Sequence, residues 1–415
     1  MLADIDPALS IHNLLHSRQI TTEFQPVFSV RQKSMVGVEA LSRGLVPGRS
    51  AILPAVLFQL AAAQGLTGRF DELCREEALR RFTALTDRAD DLILFLNLDL
   101  RGMEDPDSLA LALRQLVMSA DLPPSHVAIE IVEAEIGDVG RVRGLASLLR
   151  ACGFLIVLDD VGAGHSNLDR IPVIQPDILK VDRTLISQID KDFHKRETLK
   201  SLVSLSRRIG ALVVAEGVET EREAIVSLEL GADLLQGYFL CEPREDGAVQ
   251  GDARTAAAAH VDCLARRFKD YMVDKINERK VQHKRLNVIM DQILCQLAQA
   301  HVDQFEGSLR TIIQQQSNVE CLYVLDQAGI QVTDMICSKT HPQRTGGVLF
   351  RPATKGADHA LKEYFYLLLN VGLQKYTTDP YVSLVSGYRC RTISTCFRDA
   401  RADQVYVLCM DAVWE

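Results

Sequence analysis

Residues Leu155-Ile156-Val157-Leu158-Asp159-Asp160-Val161-Gly162-Ala163-Gly164 set four aliphatics directly before two acids and a small-residue turn. An unbroken apolar run of this length reads as a strand buried on both faces, as in a parallel sheet covered by helices. Such a strand carries no charge inside the core, so the two acids mark its end. Gly162 and Gly164 are expected to let the chain turn so that both carboxylates converge. Two ionised carboxylates that close repel unless a cation lies between them, which points to a divalent-metal site. A helix-capping Asp beside a solvated neighbour is the alternative, and the rest of the chain has to decide between them.

The same pattern recurs along the first 240 residues. A short amphipathic helix around Ile11 to Leu15 leads to a hairpin of Glu23–Val30 and Met35–Arg43. On its second strand Glu39, Leu41 and Arg43 share a face, putting an acid and a fixed cation side by side. Helices predicted at 54–64, 71–86, 107–119, 138–152, 194–209 and 220–230 alternate with apolar strands at 92–98, 127–133, 155–160, 177–182, 211–217 and 233–238. Repeated βα units of this length predict a parallel barrel, whose active sites lie at the C-terminal strand ends. Glu39, Asn97, Glu130, Asp159, Lys180, Glu216 and Gln236 each fall at or near such an end. One alone is as readily a cap or a satisfied core group; seven together point to one cavity. Its oxygen donors suit magnesium or manganese, and the absence of clustered His and Cys speaks against zinc or copper. An acidic pocket holding one lysine reads as metal-assisted phosphoryl chemistry.

These residues resemble, in order, the EAL-domain cyclic di-GMP phosphodiesterases: Gln25-Pro26, Glu39-Ala40-Leu41 with Arg43, Asn97, Glu130 with Glu133, Asp159-Asp160, Lys180-Val181-Asp182, Ala215-Glu216-Gly217-Val218-Glu219 and Gln236-Gly237-Tyr238. The resemblance covers roughly residues 8–247. It implies a modified TIM (β/α)8 barrel that hydrolyses cyclic di-GMP to linear pGpG with two Mg2+ or Mn2+ ions. It also implies that Glu39, Asn97, Glu130 and Asp159 hold one metal, and Asp159, Asp160 and Glu216 the other. Lys180, Glu216 and Asp160 would be catalytic, with Lys180 orienting the attacking water. Gln25, Leu41, Arg43, Asp182 and Gln236 would seat the substrate, and Glu133 would anchor the central loop. That loop departs from the family's Asp-Asp-Phe-Gly-Thr-Gly-Tyr-Ser: Val161, Ala163 and His165 replace Phe, Thr and Tyr. The changes bear on turnover and dimer-linked control. A non-catalytic nucleotide receptor and a protein-interaction scaffold are the alternative readings.

The expected organisation is a barrel over 1–250, a helical linker or dimerisation segment over 251–316, and a smaller α+β domain over 317–415. The last resembles PAS-like or Cache-like sensor domains through Val324-Leu325-Asp326 and its closing strands, and a small molecule or protein is its expected ligand. Strands are predicted at Cys321–Leu325, Ile330–Ile336, Tyr381–Ser386, Tyr388–Phe397 and Gln404–Val413, with a helix near 357–373. The long helix leaves apolar surface that a homodimer would cover. A net charge of -9 argues against binding nucleic-acid polymers. The N-terminus lacks a signal pattern and no apolar run reaches about 18 residues, so no integral membrane segment is expected. Ten scattered cysteines without a C-x-x-C pair read as reduced thiols of a cytoplasmic protein.

Overall fold

The computed structural model describes residues 11–45, 52–86, 92–101, 105–131, 139–163, 168–338, 351–401 and 404–414. These form two compact units, residues 1–274 and 275–415.

In the first unit eight strands close into a barrel: β1 (Ile20–Ser29), β2 (Ser34–Gly44), β3 (Ile93–Leu98), β4 (Val127–Ile131), β5 (Leu155–Val161), β6 (Ile178–Val181), β7 (Leu212–Ala215) and β8 (Leu234–Leu235). A four-residue turn joins β1 to β2, and so short a connection permits only an antiparallel pair. β1 therefore runs against both neighbours, while β2 through β8 are parallel. Alternate residues point inward. Val27, Phe95, Ala128, Val157, Ile178, Val214 and Leu234 fill the barrel with one apolar layer. β2 contributes Gly37 near this level, where a Cβ would stand 2.3 Å from the Ile93 carbonyl oxygen and 2.8 Å from the Phe95 ring. Phe95 occupies the room that glycine leaves. The outward residues, such as Ile129, Ile156, Leu179 and Val213, pack under the surrounding helices.

A helix over Gly251–Leu297 follows. Its first turns belong to the barrel unit: Ala257, Val261 and Leu264 are buried in the outer core, with Phe268 and Tyr271 packed against it. The helical stretch breaks at 298–301, after which a second helix covers Val302–Ile313.

The second unit is built on a six-stranded antiparallel sheet of β9 (Val319–Leu325), β10 (Ile336–Cys337), β11 (Lys375–Thr377), β12 (Tyr381–Val382), β13 (Arg389–Arg398) and β14 (Val405–Val413). The order is β10-β9-β14-β13-β11, with β12 also on β13. One face is covered by Leu286, Ile293, Leu297, Phe305 and Leu309 from the two helices, the other by Phe365 and Leu368 from the helix Glu363–Val371. Two strand expectations need correction. Ile330–Ile336 is not one strand: Val324 N–H bonds to Thr333 Oγ1 instead of a backbone carbonyl, and the Gln331 amide donates to the Thr333 and Ala353 carbonyls, so only Ile336–Cys337 joins the sheet. Tyr381–Ser386 stops after Val382, because Ser383 opens a turn closed by Gly387 N–H and by its own hydroxyl. β11 was not anticipated.

Candidate active site

One step beyond the apolar layer, every strand presents a polar side chain. Counting two residues along each strand toward this end of the barrel from Phe95, Ala128, Val157, Ile178, Val214 and Leu234 gives Asn97, Glu130, Asp159, Lys180, Glu216 and Gln236. The same step from Gly37 gives Glu39, and on the reversed β1 it gives Gln25. Period-two geometry on eight strands thus assembles one ring.

Lys180 stands at its centre, 1% exposed. Its Nζ lies 2.9 Å from Glu39 Oε2, 2.6 Å from Glu130 Oε1, 3.5 Å from Asp159 Oδ1 and 2.5 Å from Glu216 Oε1. Gln236 Nε2 donates to Glu39 Oε2 at 2.7 Å and to Gln25 Oε1 at 3.2 Å, and Asn97 Nδ2 donates to Glu39 Oε1 at 3.2 Å. Asp159 and Asp160 converge by a device different from the expected glycine turn. Leu158 pairs with Leu179 and Val161 with Val181, so two acids on β5 oppose Lys180 alone on β6. Asp160 takes up the extra residue of this bulge with φ of 55°, a left-handed conformation that Asp tolerates better than most side chains. Carboxylate oxygens of Asp159, Asp160 and Glu216 consequently lie within 4.8 Å of one another.

The ring holds more negative charge than Lys180 can offset. Burial drives the Glu130 and Glu216 carboxyls well above the usual range against the pull of Lys180, and neighbouring acids add to the rise. Asp159 is also raised, by burial first. Asp160 is pushed up to about 6 by burial and by the charges of Asp159 and Asp182. Glu39 goes the other way: burial alone would raise it, but Lys180 and the donors on Gln236 and Asn97 hold it ionised. Burial weakens the Lys180 charge, and the four carboxylates more than reverse that, keeping it protonated. Neither Glu130 oxygen has a well-directed hydrogen bond, although Oε1 has its ion pair with Lys180, and Asp159 Oδ1 is likewise short of a donor. Buried, under-satisfied, oxygen-only donors with excess negative charge fit a divalent cation.

A cavity of about 280 Å3 opens over this ring. It is lined by Gln25, Glu39, Asp159, Lys180, Glu216 and Gln236 of the ring and by Asp160, Asp182, Arg183, Gly217, Glu219, Gly237 and Tyr238. Asp182 caps the turn Arg183–Ile186 by accepting from Thr184 N–H at 2.8 Å. Arg43 is buried and ion-paired to Glu23 at 2.8 Å, outside the lining of this cavity. Leu41 lines a second cavity of about 310 Å3, which shares Glu39 and Asn97 with the ring and is walled by Pro54, Phe58, Ala78 and Leu96. Its polar groups, the buried Asp71–Arg75 ion pair with Asp99 and Arg101, were missed in the sequence. The available signals were a charged i,i+4 pair on an otherwise apolar helix face and the period-two run Asn97, Asp99, Arg101. Glu133, Gly164 and His165 lie outside the described residues.

Residues 8–243 match the family model described as "EAL domain", more than half of the chain. The chain belongs to the EAL family. It is similar to MucR of Pseudomonas aeruginosa, a bifunctional diguanylate cyclase/cyclic di-GMP phosphodiesterase, at 30% identity over 56% of this chain and 35% of MucR. With YkuI of Bacillus subtilis, an uncharacterised EAL-domain protein, it shares 23% identity over 89% of this chain and 90% of YkuI. It spans only 30% of YkoW of Bacillus subtilis and 35% of MucR. Among solved structures, YkuI with cyclic di-GMP and calcium superposes with a TM-score of 0.79 at 24% identity, covering 98% of this chain and all of that one, a likeness of fold. The PaMucR phosphodiesterase in complex with cyclic di-GMP gives 0.52 at 30% identity, over 56% of this chain and 95% of that one. The EAL barrel here is thus the modified barrel expected, with its first strand reversed.

Proposed function

We propose that the barrel hydrolyses cyclic di-GMP to linear pGpG. The observation that carries this reading is the ring of four carboxylates around Lys180 with Asp160 beside it, a donor set that suits metal-assisted attack on a phosphodiester. Glu39, Asn97, Glu130 and Asp159 would hold one Mg2+ or Mn2+, and Asp159, Asp160 and Glu216 a second. When bound, such a pair acidifies a shared water and stabilises both the attacking and the leaving oxygen of an in-line displacement. The chain's own groups do the rest. Lys180 orients the water through its ammonium. Gln25, Asp182 and Gln236 line the cavity where the reacting phosphate sits, and water adds to phosphorus as one P–O3′ bond breaks, leaving the 5′-phosphate of pGpG. The neighbouring cavity, where Leu41, Pro54, Phe58, Ala78 and Leu96 form an apolar wall beside the polar groups, suits a purine base next to Leu41.

A non-catalytic receptor is the second reading, favoured by the altered loop: Val161 is buried in the outer core, so the aromatic usual after the two acids is replaced by a smaller aliphatic there. Chromatography of cyclic di-GMP incubated with purified protein and Mn2+ separates the two. Appearance of pGpG supports the enzyme, retention of intact nucleotide the receptor, and neither binding nor product a scaffold.

The organisation proposed with this function is a barrel whose activity the C-terminal region modulates, in a homodimer. Val281 and Val288, seven residues apart on one helix and 70% and 55% exposed, support a helical partner. Among the described residues no helix is long and apolar enough to cross a membrane. A cytoplasmic setting accords with cysteines that are all free.

A further inference from the structure

We propose that Cys321 and Cys337 form a reversible, oxidant-driven disulfide that fastens the edge strand β10 to β9. The two are direct register partners on antiparallel strands. Ser338 N–H donates to the Glu320 carbonyl at 2.7 Å, which makes Glu320–Ser338 a hydrogen-bonded pair and the adjacent Cys321–Cys337 a non-hydrogen-bonded one. At such pairs the Cα atoms approach to about 4.5 Å, inside the span a disulfide bridges and near its lower limit. Bonds made at that limit are strained and readily reduced, as a switch requires and a permanent staple does not. Interaction with the Cys337 thiol is the largest of the influences that keep the Cys321 thiol protonated, and the Cys337 S–H is directed at the Met335 carbonyl oxygen at 3.8 Å.

The surroundings divide the labour. Cys321 is 1% exposed, with Asp411 opposite it on β14 and Glu320 beside it, and that contact, burial and these acids hold its proton. Cys337 is half-buried on a two-residue strand at the sheet edge, so it is the one an oxidant reaches. With a hydroperoxide as oxidant, the Cys337 thiol gives up its proton as its sulfur attacks one peroxide oxygen, the O–O bond breaks, and the departing hydroxide takes that proton and leaves as water, giving a sulfenic acid. The Cys321 sulfur then attacks the sulfenic sulfur; its proton departs with the hydroxyl as a second water, and the S–S bond is made. Two thiols lose two electrons, and the peroxide gains both. A thiol reductant reverses the step by exchange. The closed loop, residues 321–337, contains the bend at Asp326–Gly329 and the buried Gln331, which bonds to His359 at 2.9 Å. Oxidation would therefore stiffen the margin of the sheet.

The test uses the full chain. Both cysteines lie in one tryptic peptide, residues 311–339, because no Lys or Arg intervenes. After graded hydrogen peroxide and N-ethylmaleimide, mass spectrometry should find this peptide lighter by two hydrogens and unalkylated, before the exposed Cys295 is oxidised, and dithiothreitol should restore double alkylation. Hydrogen exchange along β9 and β10 should slow in the oxidised protein. Cys337→Ser, at a half-buried edge position, should abolish both changes while Trp414 fluorescence reports a folded second unit. If 311–339 stays doubly alkylated once Cys295 is oxidised, or if Cys321 couples to another cysteine, the proposal is overturned.

Discussion

Among the described residues Lys180 is the single cation in contact with Glu39, Glu130, Asp159 and Glu216, so its removal should separate stability from chemistry. Lys180→Ala leaves those carboxylates facing one another, and loss of one partner from a buried charge network costs roughly 3–5 kcal/mol. The metal-free variant should therefore melt well below wild type, and Mn2+ should recover more stability in it than in wild type while hydrolysis stays impaired. Calorimetric scans with and without Mn2+ check this; equal metal-induced shifts in both proteins would refute it. Glu39→Ala and Asp159→Ala should instead abolish hydrolysis in a folded barrel, because each removes a charged oxygen donor, and wild-type turnover by either would take that residue out of the site. The ring was legible in the sequence because each polar residue interrupts an apolar strand at the same place. Asp71 and Arg75 were not, since a charged i,i+4 pair on a helix ordinarily faces solvent.

Strands positioned the site, and their irregularities are where sequence reading fell short. The bulge at Asp159-Asp160 depends on which residues of β5 and β6 pair, a long-range fact that a run of aliphatics followed by two acids does not encode. Ile330–Ile336 has strand composition, yet the Gln331 and Thr333 side chains take hydrogen bonds that a ladder would need. Alternation did reveal the barrel, whose packing makes Gly37 sensitive. A methyl there meets the Ile93 carbonyl and the Phe95 ring, so Gly37→Ala should cost at least the roughly 1–3 kcal/mol of ordinary overpacking, read from urea midpoints. On β14, burial pushes the Asp411 carboxyl up to about 7 despite hydrogen bonds from Thr392 and Tyr381. The folded state thus holds this proton more tightly than the unfolded chain. Its stabilising contribution is complete at low pH and is lost as pH rises from about 4 through about 7, by up to about 1.4 kcal/mol per unit. Trp414, the only tryptophan, lies in the same unit, so its fluorescence should show a falling urea midpoint between pH 5 and pH 8. Asp411→Asn should flatten that trend, and an unchanged slope would contradict the assignment.

Across the whole molecule, the barrel's outer core is completed by residues beyond the EAL match, since Val261 and Leu264 are buried against it. A chain ending at residue 274 should accordingly outlast one ending at 250 in thermal denaturation, each buried Val or Leu contributing roughly 1.5–3 kcal/mol. Both contain the full ring, and the longer should hydrolyse cyclic di-GMP at a rate different from that of the intact chain if the second unit modulates the barrel. The change from βα alternation to a long helix and then antiparallel strands made a barrel, a helical segment and a second sheet legible in the sequence, and the two compact units divide within that helix, at 274/275. The sequence could not reveal that the helix serves the barrel core before leaving it. The proposed hydrolysis requires metal-activated water acting without a protein nucleophile. Turnover of cyclic di-GMP by the intact protein with Mn2+ in oxygen-18 water, followed by mass spectrometry, tests that directly. The result expected is pGpG with one solvent oxygen on its 5′-phosphate, formed by wild type and lost with a chelator or in Glu39→Ala. Intact cyclic di-GMP recovered from a folded, metal-loaded protein would contradict it.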